Sequence, residues 1–507
     1  MKEGKSIAII GAGIAGLAAG CYAQMNGYRS RIFELHSLPG GLCTAWEREG
    51  YVFDGCLHYL LGSGEGQPYH QIWEELGAVH DRIFINHEEA MRVVGTDGRT
   101  FIAKCDPDRM EEHMKQLSPA DGRLIHDFCQ GIRQFTRFDM SLLQQKPRSL
   151  MGMLDYARFG VTMMPFLPAL LRWGLVSAQD LGNRFKDPFL RRAVPELFGW
   201  PEIPTMAGLS LLASMHSKNA GVPVGASLEF ARSIERRYLE LGGEIHYKSQ
   251  VEKIMTEGAP GKARAIGVRL YNDAVYHADY VISAADGYGT LFYMLGRQFA
   301  DRATKHNYDG HLPIHSQIQV SLGVNRDMSG EPHWVTYLLD KPLLIAGEER
   351  SSIMVKNYCF DPSLAPAGRS VVVVMIATTY GYWERIYGHR LYETEQEQVA
   401  AILIDFLEGI YPGIRKDAEI IDVATPLSYE RYTANWQGSS TGWLLTKETM
   451  MMLLLGMKKT LPGLSNFYMA GQWVEPGGMV PVVAMSGRNV IRMICHQDRR
   501  PFAATMP

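Results

Sequence analysis

The feature that most restricts this chain sits at its start. A short β-branched run, Ser6-Ile7-Ala8-Ile9-Ile10, passes without a spacer into Gly11-Ala12-Gly13-Ile14-Ala15-Gly16 and then into an apolar, proline-free stretch, Leu17 to Met25. The run reads as a buried strand of a parallel sheet, and the stretch after the glycines reads as a helix closed by Asn26-Gly27. A second strand, Tyr28 to Phe33, is predicted next and ends at Glu34. Each glycine has a separate task in such a unit. Gly11 permits the tight turn, Gly13 lets backbone approach a pyrophosphate, and Gly16 lets the helix pack closely on the strand. The helix N-terminus then offers unpaired N–H groups and a partial positive charge to phosphate. Glu34 lies eighteen residues beyond Gly16, about where a carboxylate must stand to accept from an adenosine ribose, and it repels a 2′-phosphate.

Composition narrows the rest. At 507 residues the chain has room for several structural units, and with 46% hydrophobic and 21% charged residues it is a folded protein rather than a disordered or fibrous one; the strand-glycine-helix-strand start makes the expected class α/β. A net charge of −3 gives no general attraction for nucleic acid. The seven cysteines form no C-x-x-C pair, so neither a disulfide framework nor a metal site is expected, and a reducing, cytoplasmic setting fits.

The first unit alone does not choose between FAD and NAD; the following segment does. Gly40-Gly41-Leu42-Cys43-Thr44-Ala45-Trp46 and Gly50-Tyr51-Val52-Phe53-Asp54-Gly55 resemble the second FAD signature of the flavin amine oxidase and phytoene desaturase superfamily. Further matches are Gly221-Val222-Pro223-Val224-Gly225-Ala226-Ser227, Gln250-Val251-Glu252-Lys253-Ile254, Ala278 to Asp286, and Phe467 to Pro481. Tyr411-Pro412-Gly413, Ala424-Thr425-Pro426 and Tyr432-Thr433-Ala434-Asn435 are similar to the carotenoid desaturase, carotenoid isomerase and retinol saturase group. The chain departs from many members at Gly471-Gln472, where they carry Gly-Asp, and His58-Tyr59 looks more like the saturases. The resemblance implies one FAD held by Gly11, Gly13, Ile14, Ala15, Gly16, Glu34, Leu35, Gly40, Gly41, Leu42, Val251, Ala285, Gly471, Gln472, Gly478, Met479 and Val480.

The FAD-binding, Rossmann-type domain is expected from three discontinuous pieces, about 1–80, 215–290 and 460–507, with an α+β substrate domain from 81–214 and 291–459. Gln317 to Leu322 and Val371 to Ala377 should supply its sheet, while 81–214 reads as helical. Within it, residues 150–178 are apolar but broken by Pro165, Pro168 and Arg172, too short for a membrane span. The segment is either a cap on the substrate domain or a peripheral anchor on the inner face of a membrane. Met450 to Leu455 is core or the wall of a tunnel for a long apolar ligand.

No serine triad, H-E-x-x-H or paired-carboxylate spacing competes with flavin chemistry. His58, Tyr59 and Glu475 are the candidate auxiliary proton donors by their positions in flavin motifs. Cys43 and Cys56 lie in no recognisable flavin-attachment motif. The expected activity is desaturation, saturation or isomerisation of a hydrophobic polyene or isoprenoid. An amine oxidase and a non-catalytic prenyl-lipid escort on the same fold are the alternatives. The sequence names no electron donor or acceptor.

Overall fold

The structure is a computed structural model that describes residues 4–259 and 261–505. Its first layer is a five-stranded parallel sheet in the order Glu244–His246, Arg29–Phe33, Ser6–Ile10, Tyr280–Ser283, Phe467–Met469. Its strands come from three separated stretches of the chain. The central strand is buried on both faces, which is why it reads as an unbroken apolar run rather than an alternating one.

The first helix spans Ile14–Met25, three residues earlier than its apolar run suggested, and the second strand begins at Arg29 rather than Tyr28. All of the helix except Gln24 is buried. It is wedged between Ala226–Glu240 on one side and the closing helix Val480–Gln497 on the other, so it shows no amphipathic stripe. Gly487 makes that contact possible, because a Cβ there would collide with the carbonyl of Ala15.

A second, smaller sheet of antiparallel strands Val251–Glu257, Ala263–Leu270 and Val275–His277 flanks the first. The third sheet has seven strands in the order Ala418–Ala424, Ser316–Val324, Ser370–Thr378, Glu348–Asn357, Trp334–Ile345, Glu89–Val94, Thr100–Lys104. The last two strands correct the expectation that 81–214 is helical throughout: its beginning closes the edge of this sheet, and the helices start at Pro107–Leu117. One face of the sheet packs Leu403 and Leu407 of the helix Tyr392–Ile410 against Ile353 and Val355. The other face meets the hairpin Ala45–Arg48/Tyr51–Asp54. Tyr51 lies flat over Gly323, where a Cβ would strike its ring, and Trp46 Nε1 donates to Asp422 at 2.9 Å. The hairpin therefore lies between the helix Ala226–Glu240 and the large mixed sheet.

Candidate active site

At the end of the first strand the backbone forms a cradle. Gly11 has φ +95°, and a Cβ there would come within 3.2 Å of the Ala284 carbonyl, just before Ala285. A Cβ on Gly16 would collide with the carbonyl of Gly11. Gly13 differs: its added Cβ would meet nothing nearer than the Gly40 carbonyl at 3.8 Å, so this side of the loop is open. Gly13 is the N-cap of the first helix, no side chain caps that end, and no acidic residue lies in its first turn. The amides of Ile14 and Ala15 at that terminus suit an anion. Gly40 and Gly41, both at positive φ, run alongside, with the Gly40 amide donating to the Ala12 carbonyl at 2.9 Å. Leu42 continues this edge.

Glu34 is buried, which pushes its carboxyl upward, but the amides of Ala12 (2.6 Å) and His36 (2.8 Å) donate to its two oxygens and hold it in place. The amide of Ser249 donates to the Glu34 carbonyl, which lays Val251, the first residue of its strand, beside Glu34 and Leu35.

A second helix terminus faces the first. The closing helix starts at Val480 with Met479 as an N-cap that has no side-chain hydrogen bond. Gly471 (φ +99°) would place a Cβ 3.4 Å from that of Ala15, and Gly478 (φ +53°) would drive one into the Thr441 carbonyl. Gln472 is pinned, its Nε2 donating at 3.0 Å to Asn435 Oδ1, which also accepts from Trp473 Nε1 at 3.1 Å. Thr441 Oγ1 is buried without a hydrogen-bond partner among the described residues. Two uncapped helix ends, a glycine-lined edge between them and a fixed carboxylate at one extremity suit a dinucleotide with its diphosphate in the middle.

Beyond the hairpin Asp54 and His58 meet Lys356, a residue that the motifs did not signal. Lys356, 3% exposed, projects from the strand Glu348–Asn357 toward the hairpin. Its Nζ is 2.7 Å from His58 Nδ1 and lies over the rings of Trp334 (4.4 Å) and Tyr358 (5.2 Å). Burial pulls the Lys356 ammonium down to about 7, against the opposing attraction of Asp54. Asp54 is pushed up to about 6 by burial, offset by hydrogen bonds from Ser227 and the Cys56 amide and by the Lys356 charge. Burial, then the Lys356 charge, holds His58 well below the usual imidazole range. His58 is deep in the protein yet retains accessible surface because it lines an internal pocket with Asn86, His87, Met215, His333 and Trp334.

The other two sequence candidates are placed differently. Tyr59 adjoins the apolar core around Leu57 and Leu60, and burial pushes its hydroxyl up to about 12. Glu475 is buried, with one oxygen taken by Lys459 Nζ and the other accepting from Gln144 Nε2 at 3.0 Å. The Gln144 hydrogen bond ties the glycine loop to the end of the turn Met140–Leu143, and Glu475 does not join the Lys356 cluster's hydrogen bonds. Cys43 and Cys56 are free thiols across the hairpin. Among the described residues no group of three or more His, Cys, Asp or Glu side chains could hold a metal.

The family model of flavin-containing amine oxidoreductases matches residues 14–494. The chain belongs to that family. It is 24% identical over 499 residues to the chloroplastic prolycopene isomerase of Daucus carota, covering 94% of this chain and 78% of the relative. It is 22% identical to the lycopene-forming phytoene desaturase of Paracoccus sp., covering 96% of each. Among solved structures, putrescine oxidase with bound putrescine superposes with a TM-score of 0.62 at 13% identity, over 97% of this chain and 99% of that one. This last likeness shows the fold. The family member described here is an FAD-dependent oxidoreductase.

Proposed function

We propose that this flavoenzyme acts on carbon–carbon bonds of a hydrophobic polyene or isoprenoid by desaturation, saturation or isomerisation. Similarity to an isomerase and a desaturase along nearly the whole chain carries the reading. FAD, when bound, supplies hydride exchange at carbon. The protein's own residues do the rest. The amides of Ile14 and Ala15 and the edge formed by Gly13, Gly40 and Gly41 hold the diphosphate. Glu34 receives the ribose, with Leu35 and Val251 beside the adenine and Ala285 under the turn. The terminus at Met479–Val480, with Gly471, Gln472 and Gly478, faces the ring end. An ammonium only donates, so a protonated Lys356 makes His58 Nδ1 the acceptor and fixes the imidazole proton on Nε2, toward the pocket. The experiment is anaerobic incubation of the yellow protein with polyenes, with product analysis by mass spectrometry. Conversion at a C–C bond supports the reading. Turnover of amines with peroxide release would transfer it to the amine oxidases, and a colourless protein that still binds lipid would make it an escort.

The same reading includes docking on a lipid surface. The helices Met153–Met163 and Leu167–Trp173 turn a row of large apolar side chains outward, with Met153 89%, Leu154 87% and Leu171 73% exposed. Val161, Met164, Leu167 and Leu175 extend the row, and a patch of this kind marks an interaction surface. Beneath it Phe166 packs on Phe138, which borders a pocket with Tyr69 and Met140. No described helix is long and apolar enough to cross a membrane. Met451 and Leu455 are exposed as well, whereas Met450 is core, so the tunnel expectation for 450–455 becomes a proposal only for its neighbours. Flotation with neutral and anionic vesicles tests the docking: protein that stays at the bottom with both makes these helices a cap.

A further inference from the structure

The pocket beside Lys356 is unlike a site for a pure hydrocarbon. It is bordered by three imidazoles, His58, His87 and His333, and by the Asn86 amide. The rings of His87 and His333 stack at 3.6 Å, nearly parallel, with the edge of Phe360 against His87. Burial draws them down to about 4 and about 3, so both are neutral at ordinary pH, able to donate at one nitrogen and accept at the other. Three polar atoms around the pocket and Lys356 are buried without a hydrogen-bond partner among the described residues: His87 Nε2, Trp334 Nε1 and Tyr358 Oη. Buried polar atoms are nearly always paired, and a concentration of orphans at one pocket indicates a site shaped for a polar atom brought from outside. With a volume of about 20 Å³ the pocket has room for a single oxygen-sized atom at the tip of a ligand rather than for a length of polyene.

We propose that this pocket is the receptor for an oxygen-bearing end group, a hydroxyl or a carbonyl, of the isoprenoid substrate. The inference rests on the isoprenoid reading above and narrows it to oxygenated isoprenoids. A neutral oxygen fits better than a carboxylate, because the Glu89 carboxylate already lies at this pocket and takes up the charges of Arg92 and Lys104. One oxygen can accept from a neutral imidazole N–H and, as a hydroxyl, donate to the next ring. His58, fixed by Lys356, stands on the same wall.

The test measures binding of three probes of one skeleton to the FAD-loaded protein: geranylgeraniol, geranylgeranial and the corresponding hydrocarbon ending in a methyl group. The alcohol or the aldehyde should bind about tenfold tighter than the hydrocarbon, the scale of one well-made hydrogen bond. In the double variant His87→Phe, His333→Phe, which keeps ring for ring in the stack, that preference should fall below about threefold while hydrocarbon affinity stays unchanged. Equal binding of all three by the unsubstituted protein would overturn the proposal and leave the isoprenoid reading standing, with water as the partner of the orphan atoms. Binding of none, with the flavin still in place, would overturn both.

Discussion

At the edge of the parallel sheet the molecule recognises its ligand with backbone: glycines without side chains, helix termini without caps, and one carboxylate locked by two amides. On the face of the seven-stranded sheet it does the opposite. Lys356, Asp54, His58, His87 and His333 come from stretches up to about 300 residues apart and meet only because the hairpin Ala45–Asp54 lies flat on that sheet. The first region tolerates little because every contact is a close approach of main chain. The second is tunable because its chemistry resides in exchangeable side chains whose charges are set by burial and by one another. A shared cofactor edge with a variable side-chain chamber is how one fold serves several reactions.

The sharpest way to break this contrast is to add a single methyl group. Gly16→Ala puts a Cβ into the Gly11 carbonyl, and the expected outcome is loss of bound FAD, read as a purified protein without flavin absorbance. A yellow, active Gly16→Ala protein would mean that the cradle has slack that its geometry does not show. The next effect belongs to the side-chain region. Lys356→Met should retain FAD while turnover falls by about 10²–10⁴-fold, the range for loss of a positioned acid-base group. If flavin content fell in parallel, the two regions would not be separable.

The difference also decides what the sequence could disclose. A backbone cradle must be written with glycines at fixed spacing after a strand, so Gly11, Gly13, Gly16, Gly40, Gly41 and Glu34 were visible in one dimension. The start of the first helix is not legible in sequence, because Gly13 caps it without any capping side chain and burial on all sides erases the apolar stripe. The strands Glu89–Val94 and Thr100–Lys104 do carry a signal, Asp97-Gly98 between two β-compatible runs, which the helical character of the rest of 81–214 masks. Lys356 had no comparable signature. A lysine in Ile353-Met354-Val355-Lys356-Asn357 reads as a polar residue on a strand, and only the packing of Tyr51 on Gly323 shows that its face of the sheet is covered.

A smaller effect separates the regions by pH. The Lys356 ammonium sits at about 7 when folded, below its ordinary 10.5. Between those values the unfolded chain binds more protons than the folded one, so this residue makes stability rise as pH increases from 7 toward 10.5, by at most about 1.4 kcal/mol per pH unit. Asp54 acts in the lower window: raised to about 6 from 3.8, it makes stability fall as pH rises through that interval. Urea denaturation of the wild type and Lys356→Met at pH 7 and pH 9 isolates the lysine. The stability of the wild type minus that of the variant should increase between the two pH values. A difference that stayed constant would place the ammonium in a more polar setting than its burial indicates.

The smallest expected effect concerns Tyr59, which follows Lys356's partner His58 directly in the chain. Its ring belongs to the apolar core beside Leu57 and Leu60, and no hydrogen bond to its hydroxyl is found among the described residues. Burial also raises the phenol to about 12, away from the range in which a donor is efficient. Tyr59→Phe keeps the packing and removes only the oxygen, so turnover should change by less than about tenfold and flavin content not at all. The comparison with Lys356→Met is therefore a direct contest between the chain neighbour of His58 and its hydrogen-bond partner. If Tyr59→Phe proved the more damaging of the two, proton delivery would belong to the Tyr59 hydroxyl, and the lysine cluster would be left with orientation of His58 as its task.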